Sequence, residues 1–328
     1  MKRICMMIIL AVFIGLNCHA YAASNAQDIL KAVVKIHSVI PKETPSSETL
    51  GIEREGHGIV IDAEGVIVTI GYFVRDAEKI DVIGPEGKPV ATTVSGYDDN
   101  TGFAIVGTER PLRVVPIEIG QSSTITVGDP ILVAGYGAAQ AASVISRKEL
   151  AGYWEYLVEE AIYTVPAFAN FSGASLIDRK GHLVGIGSLF TQIFMKGIGS
   201  LPCNVFVPID LLKPVLATLK MERRSQEMPR PSLGINAEEA HGRIFITKVT
   251  SGGPAEKAGL KPGDIVLMVE GREVASLADC YRKIWGIGNA GVQVPLTVLQ
   301  GSKITELQVH SGDRQKLVNP RSRKELAI

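Results

Sequence analysis

Ser172 is the residue best placed to do chemistry. The stretch Thr164-Val-Pro-Ala-Phe-Ala-Asn-Phe-Ser-Gly-Ala-Ser-Leu-Ile-Asp178 presents it on a loop of small residues that runs into an apolar strand, Ala174 to Ile177. A serine on a tight turn beside backbone amides is a common way of building a nucleophile and its oxyanion hole together. The hydroxyl still needs a base, and a plain turn serine has the same Gly/Ala setting. His37 and His57 read as residues of neighbouring strands, His182 as a hairpin-turn residue, and His241 and His310 as part of a C-terminal module. Lys196 lies in a stretch, 189–199, whose structure the pattern does not define, so a serine–lysine pair stays open. The spacing of Cys and His matches no metal site, and no cofactor is called for.

The elements around this loop are short strands. Val33 to Val39 reads as a strand, followed by a polar loop. Gly58 to Asp62 and Val66 to Ile70 form a hairpin, and Val90 to Val94 and Phe103 to Val106 continue the series. Gly, Pro and Asp punctuate the runs, and no long amphipathic helix appears, which argues for β-barrels or sandwiches. Residues 61–71 and 177–187 share the pattern I-D-x-x-G-x-x-V-x-I-G, which suggests two related barrels packed together. A helix from about Asp210 to Lys220, capped by Asp210, closes this half.

With 328 residues, 46% of them apolar, the chain has room for two domains and their cores. Its 34 basic residues balance 34 acidic ones, so nothing marks it for nucleic acid or an anionic membrane. Lys2 and Arg3 precede an apolar run, Ile4 to Leu16, and Ala20-Tyr-Ala22 has the A-x-A form of a cleavage site. The run is shorter than the roughly 20 residues that span a bilayer. Residues 1–22 therefore read as a signal peptide, and the mature protein as soluble and periplasmic or secreted. Cleavage removes Cys5 and Cys18. Cys203 and Cys280 remain, in different domains, either paired or free.

Residues 221–231, charged and bracketed by prolines, form a linker. Beyond it lies a compact module, 232–318, containing Ser232-Leu-Gly-Ile235, a strand from Ile244 to Val249, the loop 251–264, and a helix capped by Ser276. Residues 319–328 read as a disordered tail.

Taken together, the chain resembles the HtrA/Deg-type serine proteases, in which a chymotrypsin-like double β-barrel precedes a PDZ domain. The most specific residues are Gly-Gly-Pro-Ala-Glu-Lys-Ala-Gly-Leu-Lys-Pro-Gly-Asp (252–264), close to the family's PDZ wording. Gly56-His-Gly-Ile-Val-Ile-Asp62 stands where the family has G-S-G-V-I-I-D, and 181–187 resembles its G-x-V-I-G-I-N. The resemblance implies a mainly β trypsin-like domain over 27–220 and an α+β PDZ domain over 232–318.

Two triad positions depart from the family. Its histidine, in T-N-N-H-V-V, meets Thr69-Ile-Gly-Tyr-Phe-Val74, which puts Tyr72 there. Its aspartate, in T-D-L-A, meets Thr101-Gly-Phe-Ala104, which puts Gly102 there. Only Ser172 survives, in Asn170-Phe-Ser-Gly-Ala-Ser-Leu176. None of the histidines maps to the rim where the two barrels meet. A phenol with a pKa of about 10 is a poor base near pH 7, and glycine offers no side chain.

The oxyanion amides implied by the resemblance are those of Asn170 and Ser172, with Asn170 standing at a glycine position that favours positive φ. Phe168 and Phe171 either fill the former cleft or line an apolar binding site. The PDZ carboxylate-binding loop maps to Ser232, Leu233, Gly234 and Ile235, with the helix 277–285 walling the groove. Two readings follow. One is a pseudoprotease that binds peptide or protein C-termini, unfolded envelope proteins among them. The other is a serine endopeptidase of protein quality control with unusual activation of Ser172. The family's barrels form trimers, which implies a homo-trimer or a mixed oligomer with an active relative.

Overall fold

The computed structural model describes residues 27–44, 46–221, 229–314 and Leu317. The leader (1–22), most of the linker and the tail (319–328) lie outside the described residues.

The first barrel contains β1 (Val33–Val39), β2 (Glu53–Val60), β3 (Val66–Ile70), β4 (Lys79–Ile83), β5 (Pro89–Tyr97) and β6 (Phe103–Thr108). The second contains β7 (Pro130–Gly135), β8 (Ala138–Gly152), β9 (Tyr156–Val165), β10 (Ser175–Ile177), β11 (Leu183–Met195) and β12 (Gly199–Pro208). The first closes in the order β1-β2-β3-β6-β5-β4 and the second in the order β7-β8-β9-β12-β11-β10. Counted from its own first strand, each barrel has the same topology. Closure leaves no free edge, and the inward residues of alternating strands, such as Val34, Ile36, Val68 and Ile105, are fully buried.

The repeated sequence pattern has a different origin from the one expected. Its copies are the β2–β3 and β10–β11 hairpins, which join the second and third strands of one barrel but the fourth and fifth of the other. What repeats is turn chemistry. Asp62 Oδ1 accepts the Val66 amide at 2.9 Å, and Asp178 Oδ1 accepts the His182 amide at 2.8 Å. In both turns the glycine three residues on is left-handed, φ +86 at Gly65 and +89 at Gly181. Aspartate is suited to closing a turn through its own backbone in this way.

The helix expected over 210–220 is divided. A 3₁₀ turn covers Ile209–Leu211, and α1 spans only Leu216–Met221. Pro214 lacks an amide hydrogen and restricts the residue before it, so no ladder runs through this point. Asp210 is not a cap for α1. It accepts the Ser123 amide at 2.7 Å and the Lys213 ammonium at 2.9 Å.

The C-terminal module contains β13 (Pro231–Ser232), β14 (Ile235–Ala240), β15 (Arg243–Val249), β16 (Ile265–Val269), β17 (Arg272–Glu273), α2 (Leu277–Gly286), β18 (Gln293–Gln300), β19 (Lys303–His310) and β20 (Gly312–Asp313). The main sheet runs β14-β15-β16-β18-β19, and Ser276 Oγ caps α2 by accepting the Asp279 amide at 3.0 Å. Cys203 and Cys280 are both buried as free thiols.

If the two aspartates fix their hairpins, Asp62→Ala and Asp178→Ala should each cost about 1–2 kcal/mol of stability. Asparagine, which keeps the acceptor oxygen, should cost less at either site. Urea unfolding of the four variants reads this directly.

Candidate functional site

The Ser172 loop is held from three sides. Asn204 of β12, fully buried, accepts the Phe168 amide through Oδ1 at 2.6 Å and donates back to the Phe168 carbonyl at 3.3 Å. The His57 amide of β2 donates to the Ser172 carbonyl at 3.0 Å, and the Gly173 amide donates to the Gly187 carbonyl at 2.8 Å. Gly173 has φ +73, and a Cβ there would stand 2.0 Å from the His57 carbonyl oxygen. No other residue lets the loop approach β2 so closely. Asn170 is exposed and is not among the non-glycine residues with positive φ, so the left-handed step of the loop falls on Gly173 instead. Phe168 is buried in the second barrel's core, and Phe171 lies 6.2 Å from the Phe190 ring.

Tyr72 lies across the cleft from this loop, on the 3₁₀ turn Gly71–Phe73 that follows β3. Arg54, itself buried, anchors the turn by donating to the Tyr72 carbonyl at 2.6 Å. The Tyr72 hydroxyl lies 3.0 Å from Ser172 Oγ and 3.0 Å from the Ser188 carbonyl oxygen. Ser188 falls at a register shift between β11 and β12, and such an irregularity re-aims the local backbone. A phenol has one proton and a carbonyl can only accept. Both contacts are satisfied together when Tyr72 donates to Ser188 and Ser172 donates to Tyr72.

That arrangement points the serine proton at the Tyr72 oxygen, and the acceptor is a neutral phenol. Burial pushes the Tyr72 pKa up to about 12, against a smaller lowering by its bond to Ser172. At pH 7 only about one molecule in 10⁵ carries the phenolate that could take the proton.

Gly102, where the sequence comparison expects an aspartate, is held by its backbone. Gly102 has φ +81, its amide donates to the Asp98 carbonyl, and its own carbonyl accepts the Gly71 amide at 2.7 Å. A Cβ at Gly102 would lie 3.1 Å from the Tyr156 hydroxyl. That hydroxyl donates to the neighbouring Thr101 carbonyl at 2.6 Å. Tyr156, from the second barrel, thus occupies the space into which a side chain at 102 would grow. Asp98, the buried carboxylate of the same loop, accepts the Thr101 amide and hydroxyl through Oδ2.

The expectation that no histidine reaches the barrel junction is corrected for His57. Its amide holds the Ser172 carbonyl, and its ring Nδ1 accepts the Tyr136 amide at 3.0 Å from the second barrel. The imidazole also bonds to the Asn170 backbone. With Nδ1 taken up by the Tyr136 amide and its own amide on the Ser172 carbonyl, His57 supports the Ser172 loop, and its ring is not hydrogen-bonded to the Ser172 hydroxyl. Lys196 is exposed in the turn between β11 and β12 and is not hydrogen-bonded to Tyr72 or Ser172. Sequence reasoning weighed His57 only as a base and passed over its supporting role, and it missed Asn204, because the partners of both lie on segments distant in the chain.

The loop Ser232–Ile235 holds a side chain of the second barrel. The tip of the β8–β9 hairpin, residues 152–157, enters the groove from the second barrel. Glu155 is 6% exposed, with φ +56, and its carboxylate sits on the Ser232–Ile235 loop. Ser232 Oγ donates to Oε2 at 2.7 Å, the Leu233 amide to Oε1 at 2.7 Å, and the Gly234 and Ile235 amides to Oε2 at 3.1 and 3.5 Å. Two residues back on the hairpin, the Tyr153 carbonyl accepts the Ala237 amide of β14 at 2.8 Å. From α2, Tyr281 donates to the Gly152 carbonyl at 2.9 Å and accepts the Glu155 amide at 3.2 Å. Leu157 is buried in the same apolar cluster as Leu233 and Ile235. Burial pushes the Glu155 carboxyl above its ordinary value, with Leu233, Ser232 and Arg314 pulling it back in part.

Two closed barrels of one topology, a serine loop in the cleft between them and a carboxylate-binding loop beyond define a trypsin-like fold joined to a PDZ module. Residues 56–186 match the family profile for the trypsin-like peptidase domain, and residues 231–310 match that for the PDZ domain. The chain is 26% identical over 285 residues to the periplasmic pH-dependent serine endoprotease DegQ of Escherichia coli (strain K12), covering 81% of this chain and 61% of DegQ. It is 27% identical over 278 residues to the periplasmic serine endoprotease DegP of Salmonella typhimurium, covering 78% and 57%. The chain thus spans about three fifths of the length of these curated relatives. The HtrA-type protease AlgW with tripeptide shares the fold, with a TM-score of 0.54 at 21% identity over 89% of this chain and 96% of AlgW. The serine endoprotease from Yersinia pestis does so with a TM-score of 0.53 at 22% identity, over 89% and 97%. The chain therefore carries a trypsin-like peptidase domain followed by a PDZ domain, and it is similar in sequence to the periplasmic DegQ and DegP proteases and in fold to HtrA-type proteases.

His57 gives this region a pH signature. Burial lowers its pKa below 6.5, chiefly opposed by the bond to Asn170. As pH falls below about 6.5 the unfolded chain takes up the proton first, so stability is present above that value and lost as pH drops through the folded pKa. His57→Gln keeps an acceptor but cannot charge. Thermal melts at pH 7 and pH 5 should show a smaller acid-induced loss in this variant than in the parent.

Proposed function

We propose that this is an exported, periplasmic HtrA-like pseudoprotease that acts as a peptide- and protein-binding, scaffold or regulatory module through its PDZ domain. The observation that carries the reading is the partner of Ser172 Oγ: a neutral, buried phenol at the position of the catalytic base. A working triad needs an imidazole to take the proton and a carboxylate to orient that imidazole. Among the described residues, no histidine, lysine or carboxylate is hydrogen-bonded to the Ser172 hydroxyl. Loss of triad members leaves a residual rate of roughly 10³–10⁴ over water, from binding and the oxyanion hole. On this reading Ser172, with the amides of Asn170 and Ser172 as oxyanion donors, is vestigial. Ser232, Leu233, Gly234 and Ile235 form the binding site for peptide or protein C-termini, unfolded envelope proteins among them. A homo-trimer, or a mixed oligomer with an active relative, fits the family's architecture.

The second reading, a serine endopeptidase with unorthodox activation, draws on the same 3.0 Å contact, because Tyr72 stands where a base would stand. The two separate on pH. The mature protein is incubated with a fluorophosphonate probe and an unfolded protein substrate from pH 7 to 10, beside Ser172→Ala. The pseudoprotease reading expects labelling and cleavage no greater than in Ser172→Ala throughout. Ser172-dependent cleavage that rises about tenfold per pH unit, and disappears in Tyr72→Phe, would establish a phenolate base and an enzyme.

Restoring residue types alone should not restore activity. In Tyr72→His with Gly102→Asp, the new carboxylate meets a left-handed backbone and the Tyr156 hydroxyl. Ester hydrolysis by this double variant should stay within tenfold of the parent.

A further inference from the structure

We propose that the hairpin tip 152–157 is an internal ligand of the PDZ domain, with Glu155 standing in for a C-terminal carboxylate, and that it must leave before an external C-terminus can bind. This rests on the peptide-binding reading above.

The match is one of chemistry and of register. The loop 232–235 offers three backbone amides and one hydroxyl, all directed at the Glu155 carboxylate. An incoming peptide terminus would need the same donors. Two residues before Glu155, the Tyr153 carbonyl takes the Ala237 amide, two residues after Ile235 on β14. A step of two on each chain is the spacing at which paired strands repeat their hydrogen bonds. The hairpin therefore lies along β14 as an added peptide strand would, with its acidic end on the carboxylate loop. It differs from a peptide in one respect: the chain continues through Glu155 into β9. The left-handed φ of +56 at Glu155 turns the backbone away so that the side chain, and not a terminus, reaches the amides.

The tip is also held on its outer side. Tyr281 of α2 bonds to both Gly152 and Glu155, and Arg314 Nη1 donates to the Glu155 carbonyl at 3.3 Å. Arg282 of α2 pairs with Glu149 and Glu159, one on each strand of the same hairpin. These contacts place the groove's two walls, β14 and α2, on a single segment of the second barrel.

The test uses the full mature chain, Glu155→Ala and Glu155→Gln, with two measurements. One is amide hydrogen exchange at 233–235 without peptide. The other is binding of ten-residue peptides ending in Ala, Val, Leu or Phe, with free or amidated C-termini. The internal-ligand proposal expects slow exchange in the parent and at least tenfold faster exchange in Glu155→Ala. It also expects free-carboxyl peptides to bind Glu155→Ala at least tenfold more tightly than the parent, with little gain for amidated ones. Equal exchange in parent and variant overturns the proposal, as does equal peptide affinity, and in the latter case the PDZ domain remains a peptide receptor. Faster exchange with no peptide bound by either protein upholds the internal ligand and defeats the peptide-binding reading. If Glu155→Ala does not fold, Glu155→Gln, which keeps the side-chain volume, should show the same changes at about threefold or more.

Discussion

The structure turns on a buried carboxylate. An ionised group taken out of water without partners costs several kcal/mol, so Glu155 can stay at a domain junction only if donors surround it. They do, and they come from the C-terminal module, whereas the carboxylate comes from the second barrel. This single requirement sets how the module sits on the barrels. It brings β14 alongside Tyr153 and Tyr281 against Gly152, and it buries Leu157 in the module's apolar core.

The same hairpin reaches the first barrel. Tyr156, next to Glu155, donates to Thr101 and crowds the space beside residue 102, whose left-handed backbone also disfavours a side chain. Gly102 in turn accepts the amide of Gly71, the residue before Tyr72. Tyr72 and Gly102, the two positions at which the sequence departs from the pattern expected of a triad, are thus neighbours in one bonded arrangement. Tyr72 closes the serine side by bridging Ser172 and Ser188, and Tyr156 closes the aspartate side. A side chain at 102 would press on the Tyr156 hydroxyl, and replacing Tyr72 would remove the bridge between Ser172 and Ser188.

Much of this was legible in the residues. Alternating apolar runs bounded by glycine, proline and aspartate specify strands because side chains alternate across a pleat, and both barrels and the module follow from that period. The serine loop and the Ser232–Ile235 loop are local in sequence, so their geometry is set by adjacent residues and could be read from them. The I-D-x-x-G repeat pointed to paired barrels for the wrong reason. The barrels do share a topology, but the repeat marks an aspartate-closed turn used at unequal positions. What stayed hidden depends on contacts between distant segments. Nothing in Gly152-Tyr-Trp-Glu155 announces a partner some 78 residues further along. The pairing of Asn204 with Phe168 and the place of His57 at the barrel junction likewise arise only once closure brings the strands together.

The strength of such an internal ligand follows from its tether. A segment joined to its site by a short connection acts at an effective concentration of order mM, and any external ligand loses apparent affinity in proportion to the fraction of open sites. A tethered terminus with the intrinsic affinity of a good PDZ peptide would close the groove almost completely. Glu155 is a weaker mimic. Its carboxylate is buried more deeply than a solvated peptide end, which raises its pKa and makes the charged form costlier to hold. Its backbone also takes a left-handed turn that a glutamate favours little. Both costs act against the closed state and leave the donors in place. On the internal-ligand proposal, a groove built this way would stay covered in the absence of a partner and would yield to a terminus that offers the same carboxylate without the strain.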